Sequence, residues 1–273
     1  MPEMTVKPVT PCIGAEVSGL DLSRPLQPDE QTHLLDLINQ HHVLFFRGQQ
    51  ANESQLQNLG ASLGELHIHP QGDIPGYPGV ISVVTNASST RYAGHAWHTD
   101  ASCEIQPPRY SILALTETPP SGGDTLFANM HAVYDALSKP MRGFLDTLDA
   151  LHSGAWDYGE YFGMKAEEMR DGKFPEAIHP VVLTHPDNGR KAIYVNETFT
   201  ANIEGLERQE SDAILALLYQ RVKEPDVQCR FSWAPGSIAI WDNFSTQHKA
   251  LWDYYPHTRA GFRATVVRGN VYR

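Results

Sequence analysis

The chain has 273 residues, of which 41% are hydrophobic and 19% charged, a composition typical of a globular protein that buries a core. Its formal net charge of -11 argues against broad electrostatic attraction to nucleic acid or anionic lipid. Its three cysteines are far apart and lack CxxC spacing, so neither a disulfide framework nor a thiolate zinc site is indicated. No apolar run reaches the roughly 18 residues of a membrane helix. We expect one cytoplasmic domain over residues 1–273 that binds neither nucleic acid nor membrane.

The first third of the chain alternates strand and helix patterns. A short strand is predicted at 13–17, and a helix begins at Pro28. The apolar run at 43–46 predicts a buried strand, and leucines at helical spacing predict a second helix that ends at Gly64.

Further along the chain, short strands punctuated by turns dominate. The 21 glycines and 19 prolines favour such turns over a helical bundle. Helices are predicted at 130–151 and 210–222, and strands at 80–84, 110–115, 192–195, 237–241 and 263–267. The polar segment around 155–177 is interpreted as a lid or a solvated insertion. The predicted fold class is therefore mixed α/β, mainly β.

A candidate metal site begins at His98 and Asp100. Side chains at i and i+2 of an extended strand leave the same face, so both can reach one ion. His248, 150 positions after His98, is the third candidate ligand, and only a fold that brings two distant segments together can place it there. Two imidazoles and one carboxylate form the facial triad that suits non-haem Fe(II). The His-x-Asp spacing alone is weak, because 13 histidines and 32 acidic residues produce it by chance.

Six ordered motifs strengthen this hypothesis. The chain resembles the TauD/TfdA (taurine dioxygenase) family of Fe(II)/2-oxoglutarate-dependent dioxygenases across nearly its whole length. The motifs are GELHIHP at 64–70, WHTD at 97–100, GGDTL at 122–126, HPVVLTHP at 179–186, VNE at 195–197 and WDN at 241–243.

The resemblance implies a double-stranded β-helix (jelly-roll) core with flanking helices, and a homodimer or homotetramer. It also implies Fe(II) as cofactor, with 2-oxoglutarate and O₂ as co-substrates. The implied roles are iron ligation by His98, Asp100 and His248, 2-oxoglutarate binding by Thr125 and Arg259, and substrate binding by His69, Arg263 and Phe199. A guanidinium suits the carboxylate of 2-oxoglutarate because it donates two parallel hydrogen bonds.

The expected reaction is hydroxylation of a small organic anion, because Asp100 occupies the carboxylate position that halogenating relatives vacate. The substrate is expected to be a sulfonate such as taurine or a relative, with an alkyl sulfate or aryloxyalkanoate as the alternative. Taurine itself is in doubt, since Gly94 and Gly72 stand where the family pattern has an amide side chain and a tyrosine.

Two hypotheses from other classes remain open. The same three ligands could hold zinc in a hydrolase, although Arg259 argues against this, and the triad could instead stabilise the core of a non-catalytic anion-binding barrel.

Other candidate residues have weaker support. His67 and His69 form a second i, i+2 pair without a third ligand. Trp156 and Tyr158 are expected to line the substrate pocket or to pack in the core. The remaining histidines near the motifs are expected to be structural or surface residues, namely His95, His179 and His185.

Overall fold

The computed structural model describes residues 4–49, 51–69, 72–169 and 171–267. The α-helices are α1 (Pro28–His41), α2 (Glu53–Leu63), α3 (Met130–Asp135), α4 (Lys139–Leu145) and α5 (Arg208–Val222). The strands are β1 (Thr5–Pro8), β2 (Ala15–Ser18), β3 (Val43–Phe46), β4 (Glu65–Leu66), β5 (Val80–Thr85), β6 (Tyr110–Glu117), β7 (Thr125–Asn129), β8 (Asp149–Ser153), β9 (Glu176–Pro180), β10 (Val182–Thr184), β11 (Lys191–Ile193), β12 (Thr200–Ile203), β13 (Gln228–Phe231), β14 (Ser237–Asp242), β15 (Thr246–Ala250) and β16 (Arg259–Val267). Strand exceeds helix in number of elements, which confirms the predicted mixed class.

One large sheet runs in the order β1-β2-β3-β14-β6-β16-β4, with β5 also paired to β16. Strands from the two ends of the chain meet in it, since β14 lies between β3 and β6. Helices α1 and α2 cover one face with buried leucines, which include Leu34 and Leu59. The first helix starts as predicted, with Pro28 in its first turn and the Glu30 carboxylate accepting the Gln27 N–H at 2.9 Å.

A smaller sheet, β13-β7-β15, packs on the other face. The Phe127 ring, on β7, lies 5.6 Å between centroids from both Phe45 and Trp241 of the large sheet. Phe45 stacks on Phe231 of β13 at 4.0 Å. This aromatic layer joins the two sheets and lies directly under the site described below.

The predicted helix at 130–151 is wrong in its extent. Ser138 accepts the Met141 N–H and starts a new helix, α4, with Pro140 in its first turn. The end of the segment is strand β8, which pairs with β9 and β12. The predicted strand at 13–17 is shifted as well, since β2 begins at Ala15.

The segment predicted as a lid or insertion holds a π-helical stretch at Ala155–Tyr161 and a 3₁₀ turn at Ala166–Glu168. Whether it moves stays a prediction. Among the helices that the structure describes, none combines the length and the apolar character needed to cross a bilayer.

Candidate metal and substrate site

Backbone pairing brings the two histidines of the predicted triad together. The His98 N–H donates to the His248 carbonyl at 3.1 Å, and the His248 N–H donates to the His98 carbonyl at 2.8 Å. The bridge places the segment around His98 beside β15, on the edge that does not pair with β7. The tertiary contact that the sequence required for His248 is therefore made by main-chain atoms, which fix both Cα positions.

Asp100 is placed by the turn that follows β14. The Asn243 side-chain oxygen accepts the Asp100 N–H at 3.2 Å, and the Asn243 carbonyl accepts the Thr99 hydroxyl at 2.5 Å. Ser111 donates to the second carboxylate oxygen of Asp100 at 2.6 Å. The WDN motif at 241–243 therefore contributes no ligand itself but orients one.

The three side chains converge. Asp100 Oδ1 lies 3.6 Å from His98 Nε2 and 3.8 Å from His248 Nε2, and the ligand atoms all lie within 4.8 Å of one another. All three residues are buried. Among the described residues, this is the group of histidine, cysteine or acidic side chains that is arranged to hold a metal ion.

The electrostatics favour ligation. Burial alone would raise the pKa of Asp100, but the Arg263 guanidinium and the two imidazoles hold it well below its usual range. Burial keeps the pKa of His248 well below its usual value, so its imidazole is neutral. A carboxylate and neutral imidazoles are the protonation states in which these groups bind a divalent ion, so the residues fit the implied iron.

Thr125 and Arg259 lie together inside the core between the sheets. The Thr125 hydroxyl accepts hydrogen bonds from Arg259 Nη2 at 3.4 Å and from Trp233 Nε1 at 2.9 Å. Arg259 is only 6% exposed, and no carboxylate of the described residues lies within ion-pair distance of it. A buried cation without a counter-ion is a strong anion-binding group.

A cavity of about 220 Å³ opens beside the triad. All three predicted substrate residues, His69, Arg263 and Phe199, line it together with His98 and Asp100. This volume lies below the range of roughly 300–1,000 Å³ for drug-sized pockets, which indicates a small ligand.

Two of the basic residues that line the cavity, Arg263 and His69, differ in charge. Arg263 Nη1 donates to Asp100 Oδ1 at 2.8 Å, and its Nε is buried without a hydrogen-bond partner among the described residues. Burial lowers the pKa of His69 to about 3, so this imidazole is neutral and offers hydrogen bonds rather than charge. Arg263 therefore places a positive charge beside Asp100, and Arg91 is a second guanidinium in the cavity lining.

Sequence reasoning missed two residues of this cavity, His95 and Asp157. His95, which was expected to be a structural or surface residue, lines the cavity, and its ring stacks on Tyr161 with 3.6 Å between the centroids. Tyr158 lines the cavity as well, whereas Trp156 is 42% exposed and packs behind His95. The position of His95 three residues before His98 was the only available signal.

The backbone conformation at residue 94 explains why a glycine stands there. Gly94 has φ +80°, and a Cβ there would lie 3.3 Å from both His98 and Ala250. An amide side chain at this position would strain the loop that carries the first ligand. Gly72 also has a positive φ, +90°, but has open space around it.

The other histidines are structural. His67 Nε2 pairs with Glu104 at 2.8 Å, which occupies it away from the triad. His179 Nε2 donates to the Glu104 carbonyl at 2.9 Å, and His185 Nε2 donates to Asp242 at 2.6 Å. These contacts confirm the structural interpretation of His179 and His185.

Comparisons with known proteins agree with this geometry. The model of the taurine catabolism dioxygenase TauD, TfdA family matches residues 5–265. An alpha-ketoglutarate-dependent sulfonate dioxygenase of Saccharomyces cerevisiae is 36% identical over 96% of this chain, which spans 66% of that protein. An alpha-ketoglutarate-dependent sulfate ester dioxygenase of Pseudomonas putida is 34% identical, over 97% of this chain and 90% of the relative. A crystal structure of a taurine dioxygenase from Burkholderia xenovorans superposes with a TM-score of 0.85 at 33% identity, covering 98% of this chain and 92% of that one.

A two-histidine, one-carboxylate triad on a sheet-rich scaffold is typical of non-haem iron oxygenases. The chain belongs to the taurine catabolism dioxygenase TauD, TfdA family. Its enzyme class is that of the 2-oxoglutarate-dependent dioxygenases, as the sequence predicted.

Proposed function

We propose that the protein uses Fe(II), 2-oxoglutarate and O₂ to hydroxylate a C–H bond of a small organic anion, a sulfonate such as taurine or a relative, and releases succinate and CO₂. The convergence of His98, Asp100 and His248 beside a cavity that contains Arg263 carries this proposal. An alkyl sulfate or an aryloxyalkanoate is the alternative substrate. A sulfate ester dioxygenase and a 2,4-dichlorophenoxyacetate dioxygenase, 34% and 27% identical, are among the relatives.

In this proposal the triad holds Fe(II). When bound, Fe(II) together with 2-oxoglutarate and O₂ would supply the oxidising chemistry that the substrate C–H bond requires. Three protein ligands on one face leave adjacent positions for both co-substrates. Because Ser111 and Asn243 hold Asp100 from behind, its carboxylate is oriented before any ion arrives.

Arg259 and Thr125 are proposed to bind the distal carboxylate of 2-oxoglutarate. Thr125 lies opposite Ala250 in the β7-β15 pair, and Ala250 is two residues after His248. Two residues of extended strand span about 7 Å, so Thr125 is displaced from His248 by about that distance along the strand direction. This separation is of the order of the length of a five-carbon dicarboxylate whose other end binds the metal. The unneutralised charge of Arg259 and the Thr125 hydroxyl supply donors for the far carboxylate.

The substrate anion is proposed to bind Arg263 and His69. Arg263 offers charge, and neutral His69 offers a hydrogen bond, so an anion held between them lies next to the metal-binding triad. Phe199 closes the apolar side of the cavity, and its ring lies 6.5 Å from that of His98. The chain thereby positions the reacting carbon and excludes water from it.

The two sheets joined by Phe127 are proposed to be the halves of a double-stranded β-helix, in which β7 and β15 oppose β14 and β6. The homodimer or homotetramer expected from the sequence stays a prediction.

The decisive experiment measures succinate release from 2-oxoglutarate in the presence of Fe(II), O₂ and a panel of sulfonates, sulfate esters and aryloxyacids. We expect turnover that requires all three of iron, 2-oxoglutarate and O₂, and that is lost in His98→Ala. Arg263→Ala is expected to raise the KM for the organic anion and leave the KM for 2-oxoglutarate unchanged, and Arg259→Lys the reverse. Zinc-dependent hydrolysis of the panel without O₂ would instead establish the hydrolase hypothesis.

A further inference from the structure

The VNE motif contributes no residue to the triad, but it contains an asparagine that connects the substrate cavity to a metal-binding segment. Asn196 is completely buried in the 194–199 segment, which joins β11 to β12. Its side-chain oxygen accepts the Phe199 N–H at 2.9 Å, and its side-chain nitrogen donates to the Ser102 hydroxyl at 2.9 Å. Phe199 lines the substrate cavity, and Ser102 lies two residues after Asp100. One amide group therefore ties the wall of the cavity to the segment that carries the carboxylate of the triad.

The same 194–199 segment is tied to both histidines of the triad. The Val195 carbonyl accepts a hydrogen bond from Gln247 Nε2 at 2.8 Å, and Gln247 directly precedes His248. The Thr198 hydroxyl donates at 3.4 Å to the carbonyl of the residue that directly precedes His98. Each of the three predicted ligands therefore has a near neighbour in sequence that is hydrogen-bonded to the segment that carries the cavity wall.

These hydrogen bonds are buried, and they depend on the residue types present. Ser102 is 0% exposed and Gln247 is 1% exposed. An asparagine suits position 196 because its amide offers a donor and an acceptor at once, whereas an ionised aspartate offers acceptors alone. A buried polar group that loses its partner is costly, so the hydrogen bonds hold the 194–199 segment in one position relative to the triad.

We propose that Asn196 and Gln247 are positioning residues for the hydroxylation, which hold the cavity wall at Phe199 at a fixed distance from the metal ligands. The inference rests on the proposed function. The rings of Phe199 and His98 are 6.5 Å apart between centroids, so the wall lies close to where the reacting carbon must be. A displacement of a reacting group by about 1 Å can cost roughly 100-fold in rate.

A displaced substrate has a measurable consequence besides a lower rate. In the proposed reaction one oxygen atom of O₂ enters succinate and the other enters the hydroxylated product. When the substrate C–H bond is out of position, the second oxygen atom is reduced to water instead, and the two electrons and two protons come from ascorbate added to the assay. The number of succinate molecules formed per organic anion consumed therefore measures how well the substrate is positioned.

The test uses two variants that each remove one hydroxyl bonded to Asn196. Ser102→Ala removes the acceptor of the Asn196 side chain, which leads to the triad. Tyr219→Phe removes the donor to the Asn196 carbonyl, also at 2.9 Å, which comes from α5 and leads away from the triad. Both variants leave Asn196 in place, so the Phe199 N–H keeps its acceptor.

A third variant tests the connection to the other side of the triad. Gln247→Met retains much of the side-chain volume and removes the donor to Val195. Each variant is assayed with ascorbate and with the compound of the panel that wild type consumes fastest. Mass spectrometry quantifies the succinate formed and the organic anion consumed. The KM for 2-oxoglutarate, the affinity for Mn(II) and the unfolding midpoint are measured alongside.

We expect wild type to form about one succinate per organic anion consumed, which is the stoichiometry of the proposed reaction. Ser102→Ala and Gln247→Met should each raise this ratio at least about 2-fold and lower kcat/KM for the organic anion about 10-fold. Their KM for 2-oxoglutarate and their affinity for Mn(II) should change less than about 3-fold, because no group that binds either is removed. Tyr219→Phe should keep the wild-type ratio, even where it lowers the unfolding midpoint as much as Ser102→Ala does.

An unchanged ratio in Ser102→Ala or in Gln247→Met, or an equal rise in Tyr219→Phe, overturns the positioning role and leaves the dioxygenase assignment intact. Where one of the first two variants does not fold, the other decides. If wild type releases no succinate with any compound of the panel, the proposed function is overturned and the positioning role with it.

Discussion

A buried ion-pair network beneath the site leads to a quantitative prediction. Arg109 is 1% exposed and donates to Asp242 Oδ1 at 2.8 Å, and Asp242 is completely buried. Burial alone would raise the pKa of Asp242, but Arg109 and the His185 hydrogen bond hold it well below its usual range. Asp242 directly precedes Asn243, which orients Asp100. The perturbation is Arg109→Met, which preserves much of the side-chain volume and removes the charge.

The size of the expected loss of stability follows from the Asp242 charge, which remains buried in the variant. In the variant Asp242 keeps its His185 and Phe244 N–H contacts but loses its cation, and breaking a buried pair in this way costs about 3–5 kcal/mol. The pH dependence has a definite sign. Without Arg109 the pKa of Asp242 rises, so protonation relieves the penalty as the pH falls, and the loss of stability should be smaller at pH 5 than at pH 8.

The assay is urea unfolding of the metal-free protein at both pH values. The double variant Arg109→Met/Asp242→Asn should be more stable than the single one, because the uncompensated charge is gone. Arg208→Met is the control, since Arg208 is 76% exposed in its pair with Asp212 and should have little effect. A loss below about 1 kcal/mol for Arg109→Met, or a double variant less stable than the single one, would refute the reasoning.

Three further predictions concern single residues. Asp157→Asn should stabilise the unliganded protein at pH 8 by as much as about 3 kcal/mol, because burial raises the pKa of that carboxyl to about 6. The gain should shrink as the pH falls below 6 and disappear near pH 4, the ordinary carboxyl pKa. Chemical denaturation at pH 8 and pH 5 measures it, and destabilisation at pH 8 would contradict it. Gly261→Ala should destabilise the protein by more than about 2 kcal/mol, because the new Cβ would overlap the backbone of β6. Gly143→Ala, at an open position in a helix, is the control and should be neutral or stabilising. Similar unfolding midpoints for the two variants would exclude this steric argument. Ser111→Ala should weaken Mn(II) or Fe(II) binding about 10- to 100-fold, because the Ser111 hydroxyl donates a hydrogen bond to the Asp100 carboxylate. Anaerobic titration measures the affinity, and an unchanged value would show that this hydrogen bond does not orient Asp100.

Local sequence patterns determined much of the fold. Helix α1 begins at Pro28 and β3 occupies 43–46 as predicted, because proline at a helix start and a run of four apolar residues depend on local chemistry. The prediction of one helix over 130–151 is wrong, because local signals compete in this segment. Its last residues, from Asp149 on, belong to strand β8, which pairs with β9 and β12, and such long-range pairing leaves no period in the sequence.

The sequence also predicted which side chains come together, since His98, Asp100 and His248 converge as expected. Only the tertiary structure decided how they meet, through reciprocal backbone hydrogen bonds between residues 150 positions apart. The same holds for Arg263, which contacts Asp100, and for Asp157, which reaches the cavity from a stretch with no recognisable motif. The identity of a ligand can be predicted from residue chemistry and spacing. The residues that contact it and shift its pKa come from distant segments of the chain. Burial, which also shifts these pKa values, exists only once the chain has folded.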